Sequence, residues 1–168
     1  MKYRLGVVAP TVTEVVRCAG GWLFDRGMAG WEVTVIVADP THSRALDILG
    51  AIVLDLEDSL SSPAHELHPD AVALAGELFE SDDRIRCGVL ETLDRGGSEV
   101  TLLGEHCPSE LDCRVDTVQH RLSVAARAFK KQALAAAGIV VPTVAPLETF
   151  RSGAPVWAPP VDLVPVAG

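Results

Sequence analysis

The sequence predicts an α/β fold, a Rossmann-like three-layer domain built on a short, mostly parallel sheet. Three apolar runs carry that expectation: Leu5-Gly6-Val7-Val8-Ala9, Glu32-Val33-Thr34-Val35-Ile36-Val37-Ala38-Asp39 and Ala51-Ile52-Val53-Leu54-Asp55. Helical patterns fill the gaps between them, the alternation from which parallel sheets are made. A further observation limits the chemistry. Nucleotide-binding versions of such folds place glycines after the first strand, so that phosphates can approach the backbone. Here that turn is Pro10-Thr11-Val12-Thr13. Asp39 ends the second strand where dinucleotide folds hold a ribose, but without the glycine turn NAD is not an expected ligand.

The first helix is expected from about Thr11 to Arg26, capped by Thr11 or Thr13. Val12, Val15, Val16, Ala19, Trp22 and Leu23 recur at helical spacing and form one apolar face. Gly20-Gly21 falls in its interior, where each glycine costs about 1 kcal/mol relative to alanine. Close packing against a neighbour accounts for such a pair, as would a hinge or a ligand lying on the backbone. Gly27 and Gly30 end this helix. Asp39-Pro40-Thr41-His42-Ser43 opens a second helix over Ser43 to Leu49, and Gly50 closes it directly into the third strand.

Beyond this point the periodicity predicts a helix over Pro69 to Phe79. A second follows, capped by Asp82 or Asp83 and ending at Gly96-Gly97. A fourth strand is expected at Glu99 to Gly104, then a loop over Glu105 to Cys113 and a long helix from Asp116 to Ala137, stopped by Gly138. Ile139-Val140-Val141 is a candidate fifth strand. Residues 1–150 are thus expected to form a single α/β domain. Four prolines and Trp157 mark 151–168 as a Pro-rich extended or disordered tail.

At 168 residues the chain is long enough to bury about 70% of its unfolded surface. The formal net charge of −9 argues against nucleic acid and anionic membranes as partners, because phosphate contacts need clustered Lys and Arg. No apolar run is long enough to span a bilayer, and the N-terminus lacks the pattern of a signal peptide. A cytoplasmic, acidic protein is expected, its four cysteines reduced. Arg greatly outnumbers Lys, which occurs only at positions 2, 130 and 131, and this usage suits a GC-rich bacterial genome.

Parallel sheets bind ligands at the carboxyl ends of their strands, beside a switch in strand order. If the order is 3-2-1-4, the rim carries Thr11, Thr13, Asp39 and Asp55, the candidate ligand-binding residues. Such a rim of hydroxyls and carboxylates suits Mg²⁺ or a polyhydroxylated or cationic ligand; the same residues equally suit helix caps and turns. His65-Glu66-Leu67-His68 lacks the spacing of zinc proteases. His106, Cys107, Cys113 and His120 match no common zinc motif, so no metal site is assigned and the cofactor stays open. Arg114, Arg121, Arg127, Lys130 and Lys131 give the expected last helix a basic face. That face suits an intramolecular match to the acidic stretch from Ala45 to Asp83, a homo-oligomer contact or a phosphate-bearing ligand.

Gly20 to Arg26, Arg44 to Ala51 and Arg121 to Lys130 resemble a protein family of high-GC Gram-positive, actinobacterial bacteria. The resemblance implies a bacterial cytosolic origin and transfers no functional residue. The leading expectation is therefore a non-catalytic module, regulatory in role, that binds a small-molecule ligand or a protein partner. Two alternatives stand beside it. One is a small Mg-dependent enzyme acting on a phosphorylated or nucleotide substrate at the acidic rim. The other is an interaction protein docking through its last helix and tail.

Overall fold

β1 (Arg4–Thr11) alternates between half-buried and buried positions and delivers the chain into α1 (Val12–Met28). Thr11 caps that helix, its Oγ1 accepting the Glu14 N–H at 3.2 Å. β2 (Glu32–Asp39), α2 (Arg44–Ile48) and β3 (Ile52–Asp55) follow as the apolar runs predict. Gly30 and Gly50, at φ +97° and +80°, make the left-handed turns between helix and strand that a side chain would strain. The computed structural model describes residues 2–61, 69–153 and 162–166. His65, Glu66, His68 and Trp157 lie outside the described residues.

The next stretch departs from the periodicity. The helix expected from Pro69 to Phe79 is divided into β4 (Ala71–Ala75) and α4 (Gly76–Ser81). Ala and Leu are strong helix formers, yet Ala71, Ala73, Leu74 and Ala75 sit fully inside the sheet, where tertiary burial overrides propensity. α3 (Leu56–Ser61) precedes them and α5 (Asp83–Arg95) follows, capped by Asp82 and closed by Gly96 at φ +70°. β5 (Glu99–Leu103) is the expected fourth strand.

The long helix expected from Asp116 is also divided. β6 (Asp116–Arg121) is a strand, and α6 (Val124–Ala136) begins only at the Ser123 cap, whose side chain accepts the Ala126 N–H. His120 therefore does not share a helical stripe with Arg127 and Lys131. Ile139 to Val141 forms no strand; the Ile139 N–H instead closes α6 on the Leu134 carbonyl. β7 (Leu147–Gly153) continues past residue 150, and β8 (Val164–Pro165) pairs with β6. The segment expected to be a tail thus contributes the end of one strand and the whole of another.

The eight strands form one sheet in the order β3-β2-β1-β4-β5-β7-β6-β8. The first five are mutually parallel; β7, β6 and β8 join by antiparallel pairing. One face carries the larger core, in which Trp22, Leu23 and Phe150 pack between α1, α6 and the sheet. The other face carries a smaller core around Leu74, Phe79, Val100 and Leu102 beneath α3, α4 and α5. Among the described residues no helix is long and apolar enough to cross a membrane.

Arg26, near the end of α1, ties the C-terminal segment to this core. Its guanidinium pairs with Asp162 at 2.7 Å and with Glu99 at 3.0 Å, and it lies over the rings of Trp22 and Trp31. Trp22 Nε1 also donates to Asp162, and Leu163 is buried beside it.

Candidate functional site

In this strand order the chain leaves β1 toward β2 and β3, then returns to β1's other side for β4. The switch point therefore lies between the carboxyl ends of β1 and β4, where α/β sheets bind ligands. Glu14 stands on the first turn of α1 and Glu77 on the first turn of α4, one at each of those ends. Glu14 is half-buried and Glu77 exposed. Burial pushes the Glu14 carboxyl above its ordinary value, the Glu77 charge pushes it further the same way, and Arg17 opposes both. Cys18 follows one helical turn after Glu14. Burial raises its thiol first, and the Glu14 carboxylate adds to this.

His106 reaches the same rim through a glycine. A Cβ at Gly76, the first residue of α4, would lie 2.9 Å from His106 Cδ2 and 3.1 Å from the His106 carbonyl oxygen. Only glycine lets the ring settle there, with its Nε2 3.1 Å from Glu80 Oε2.

Of the four residues expected to bind a ligand, Thr11 and Thr13 belong to this switch point. Thr11 spends its hydroxyl on the α1 cap. Asp39 and Asp55 lie on the other side of β1, along β2 and β3. Asp39 Oδ1 accepts the Thr41 hydroxyl at 2.6 Å and the Thr41 N–H at 2.9 Å, and these bonds hold its carboxyl below the usual range. Asp55 Oδ1 accepts the Asp58 N–H at 3.0 Å and so caps α3. Both carboxylates are engaged with their own turns.

The loose cluster of His106, Cys107, Cys113 and His120 is not assembled. His120 lies across the sheet, its Nε2 2.8 Å from Asp25 Oδ2 and its Nδ1 3.1 Å from the Asp162 carbonyl. No group of three or more His, Cys, Asp or Glu able to hold a metal ion occurs among the described residues. Glu14 and Glu77 escaped the sequence reading because they are remote in the chain, and only the β1–β4 pairing joins them. Thr11-Val12-Thr13-Glu14 also has capping-box spacing, which gives Glu14 a purely local explanation.

No model of a known protein family matches this chain, and no curated protein matches it at a significant level. Solved structures do match in fold. The chain is similar to the deacetylase Dbv21, which acts on the pseudoaglycone of the antimicrobial A40926, with a TM-score of 0.60 over 100% of both chains at 14% identity. A deacetylase in complex with teicoplanin, from the teicoplanin biosynthesis pathway, gives a TM-score of 0.61 over 89% of this chain and 97% of that one, again at 14% identity. The zinc-inhibited form of the teicoplanin deacetylase Orf2 gives 0.54 over 79% and 83%, at 14% identity. The shared property is the fold. The expectation of a non-catalytic binding module is corrected by these matches, in which the structures sharing the fold are those of deacetylases.

Proposed function

We propose that this chain is an amide hydrolase of the deacylase kind, with its reacting groups at the β1/β4 switch point. The observation that carries the reading is the unequal carboxylate pair, half-buried Glu14 against exposed Glu77, at the ligand-binding rim of a fold similar to that of solved deacetylases. Two carboxyls whose environments push their proton affinities apart divide the roles of acid and base between them. Exposed Glu77, open to solvent at the rim, takes a proton from the attacking water. Half-buried Glu14, which holds its proton to higher pH, gives one to the departing nitrogen. Water adds to the acyl carbon, the C–N bond breaks, and a carboxylic acid and an amine leave. The amino end of α1 faces the same rim, and its dipole favours the negative charge that develops on the carbonyl oxygen. The described side chains supply no three-residue metal set, and no step here is routed through a metal.

The test is acetate release from N-acetylated amino sugars and N-acyl aminoglycosides, followed by mass spectrometry. The wild-type chain is expected to turn over at least one of them. Glu14→Gln and Glu77→Gln should each slow the reaction by about 10²–10⁴-fold, the usual worth of general acid–base catalysis. Turnover that survives both substitutions unchanged, or none across the panel, removes the reading.

A further inference from the structure

The outer face of α6 carries a groove whose own lining is cationic. Val124, Arg127, Ala128 and Lys131 recur at i, i+3, i+4 and i+7, so they form one stripe along the helix. Pro142, Thr143 and Val144 face that stripe across a cavity of 210 Å³. The buried positions of α6 are Ala126, Lys130, Ala133 and Leu134, so the stripe is no part of the core. The whole lining belongs to the run 69–153, which is described throughout. The two internal segments outside the described residues join other elements, α3 to β4 and β7 to Asp162.

The charge of this groove is one-sided. From Arg121 to Leu147 the sequence holds no Asp or Glu, in a chain of net charge −9. Lys130 is paired with buried Glu148, whereas Arg127 and Lys131 are exposed. The Arg127 side chain has no hydrogen bond or ion pair among the described residues. Lys131 Nζ donates to the Pro142 carbonyl at 3.3 Å, which leaves two of its protons free. The two cations stand one helical turn apart, close enough for both to meet one carboxylate. The rest of the wall, apart from the Thr143 hydroxyl, is the apolar surface of Val124, Ala128, Pro142 and Val144, which gains by being covered with an apolar tail. At 210 Å³ the cavity is smaller than the roughly 300 Å³ at which ordinary ligand pockets begin, a size that suits one short chain.

We propose that this groove binds a short-chain aliphatic monocarboxylate, its carboxylate held by Arg127 and Lys131 and its tail laid along Val124, Pro142 and Val144. The site shares no residue with the Glu14–Glu77 rim and does not depend on the hydrolase reading.

Amide NMR of the full chain, titrated with octanoate, octylamine and acetate at fixed pH and ionic strength, tests it. Octanoate is expected to bind one to one in about the millimolar range, with saturable shifts confined to 124–131 and 142–144. Acetate lacks the tail and octylamine carries the wrong charge, so both should bind more weakly. Arg127→Gln or Lys131→Gln should each weaken octanoate about two- to fivefold, the worth of an exposed charge pair. Ala128→Glu puts a carboxylate into the groove at an exposed helical position; it should abolish octanoate binding and leave the circular dichroism spectrum unchanged. Arg86→Gln on α5 changes the net charge as Arg127→Gln does, and should leave octanoate affinity as it is. If Ala128→Glu fails to fold, the two glutamine variants carry the test. Shifts scattered over the surface, octylamine or acetate binding as tightly as octanoate, affinity indifferent to both glutamine variants, or no saturable binding overturns the proposal.

Discussion

Lys130 Nζ lies 2.6 Å from Glu148 Oε2, and this buried ion pair is set into the backbone of α1. The ammonium also donates to the Arg17 carbonyl at 2.8 Å. The carboxylate accepts the Gly21 N–H at 3.0 Å and the Trp22 N–H at 2.7 Å. Arg17 and Gly21 stand four residues apart, the spacing of partners in an α-helix, and the pair supplies each with a charged partner from outside the helix. Both side chains are nearly inaccessible, at 8% and 2% exposure, so neither charge has water to fall back on. Lys130→Met or Glu148→Leu alone is expected to cost about 3–5 kcal/mol, the penalty for leaving one buried charge unpaired. The double variant should cost less than the two single losses added together, because removing both charges leaves neither one buried without its partner. Strict additivity in denaturant unfolding would show that the pair does not act as a unit.

The glycine pair within α1 has a packing reason. A Cβ on Gly21 would overlap Cγ and Cδ2 of buried Leu122, while Gly20 lies against the Lys130 stem and Leu49. Gly21→Ala should therefore destabilise by about 1–3 kcal/mol despite the better helix propensity of alanine. Leu122→Ala in the same chain should return part of that loss. Gly27→Ala, where a Cβ meets nothing within 4 Å, should instead stabilise by up to about 1 kcal/mol. A neutral Gly21→Ala in thermal unfolding would contradict the packing account.

Glu14 should leave a signature in the pH dependence of stability. Its proton affinity rises on folding, chiefly through burial and then through Glu77. Such a group favours the folded state fully below its unfolded pKa of about 4.3, and that contribution is lost as pH rises through the higher folded value. Glu14→Gln remains uncharged throughout. It is expected to melt above the wild type at pH 7, with the two converging as the pH approaches about 4. A gap that widens on acidification would reverse the sign and sink the idea.

Asp162 works in the opposite sense. Burial alone would raise its carboxyl, but the hydrogen bonds and charge of Arg26, aided by the Trp22 indole, hold it below the usual range. Its contribution is present above the ordinary Asp value of about 3.9 and is lost as the pH falls through the lower folded one. Tryptophan fluorescence should accordingly report a change at Trp22 in acid as this anchor is protonated. Asp162→Asn should show that altered emission already at pH 7. An emission spectrum identical to wild type would mean that the anchor does not hold the C-terminal segment.

The sequence by itself determined the α/β class, the first three strands with their two connecting helices, and the fourth strand expected at Glu99. In those stretches local chemistry and the final environment agree: β-rich runs bounded by Thr11, Gly30 and Gly50 have one sensible reading. Tertiary structure decided the rest. Ala71 to Ala75 has helical propensity and becomes a strand because the slot beside β1 buries it. Asp116 to Arg121 is too polar to announce a strand and is held by pairing with β7. The carboxylates at the rim divide along the same line. Asp39 and Asp55 were legible because they end strands, but they bond their own turns. Glu14 and Glu77 become neighbours only when β4 crosses back to lie against β1, and no local pattern in the chain encodes that pairing.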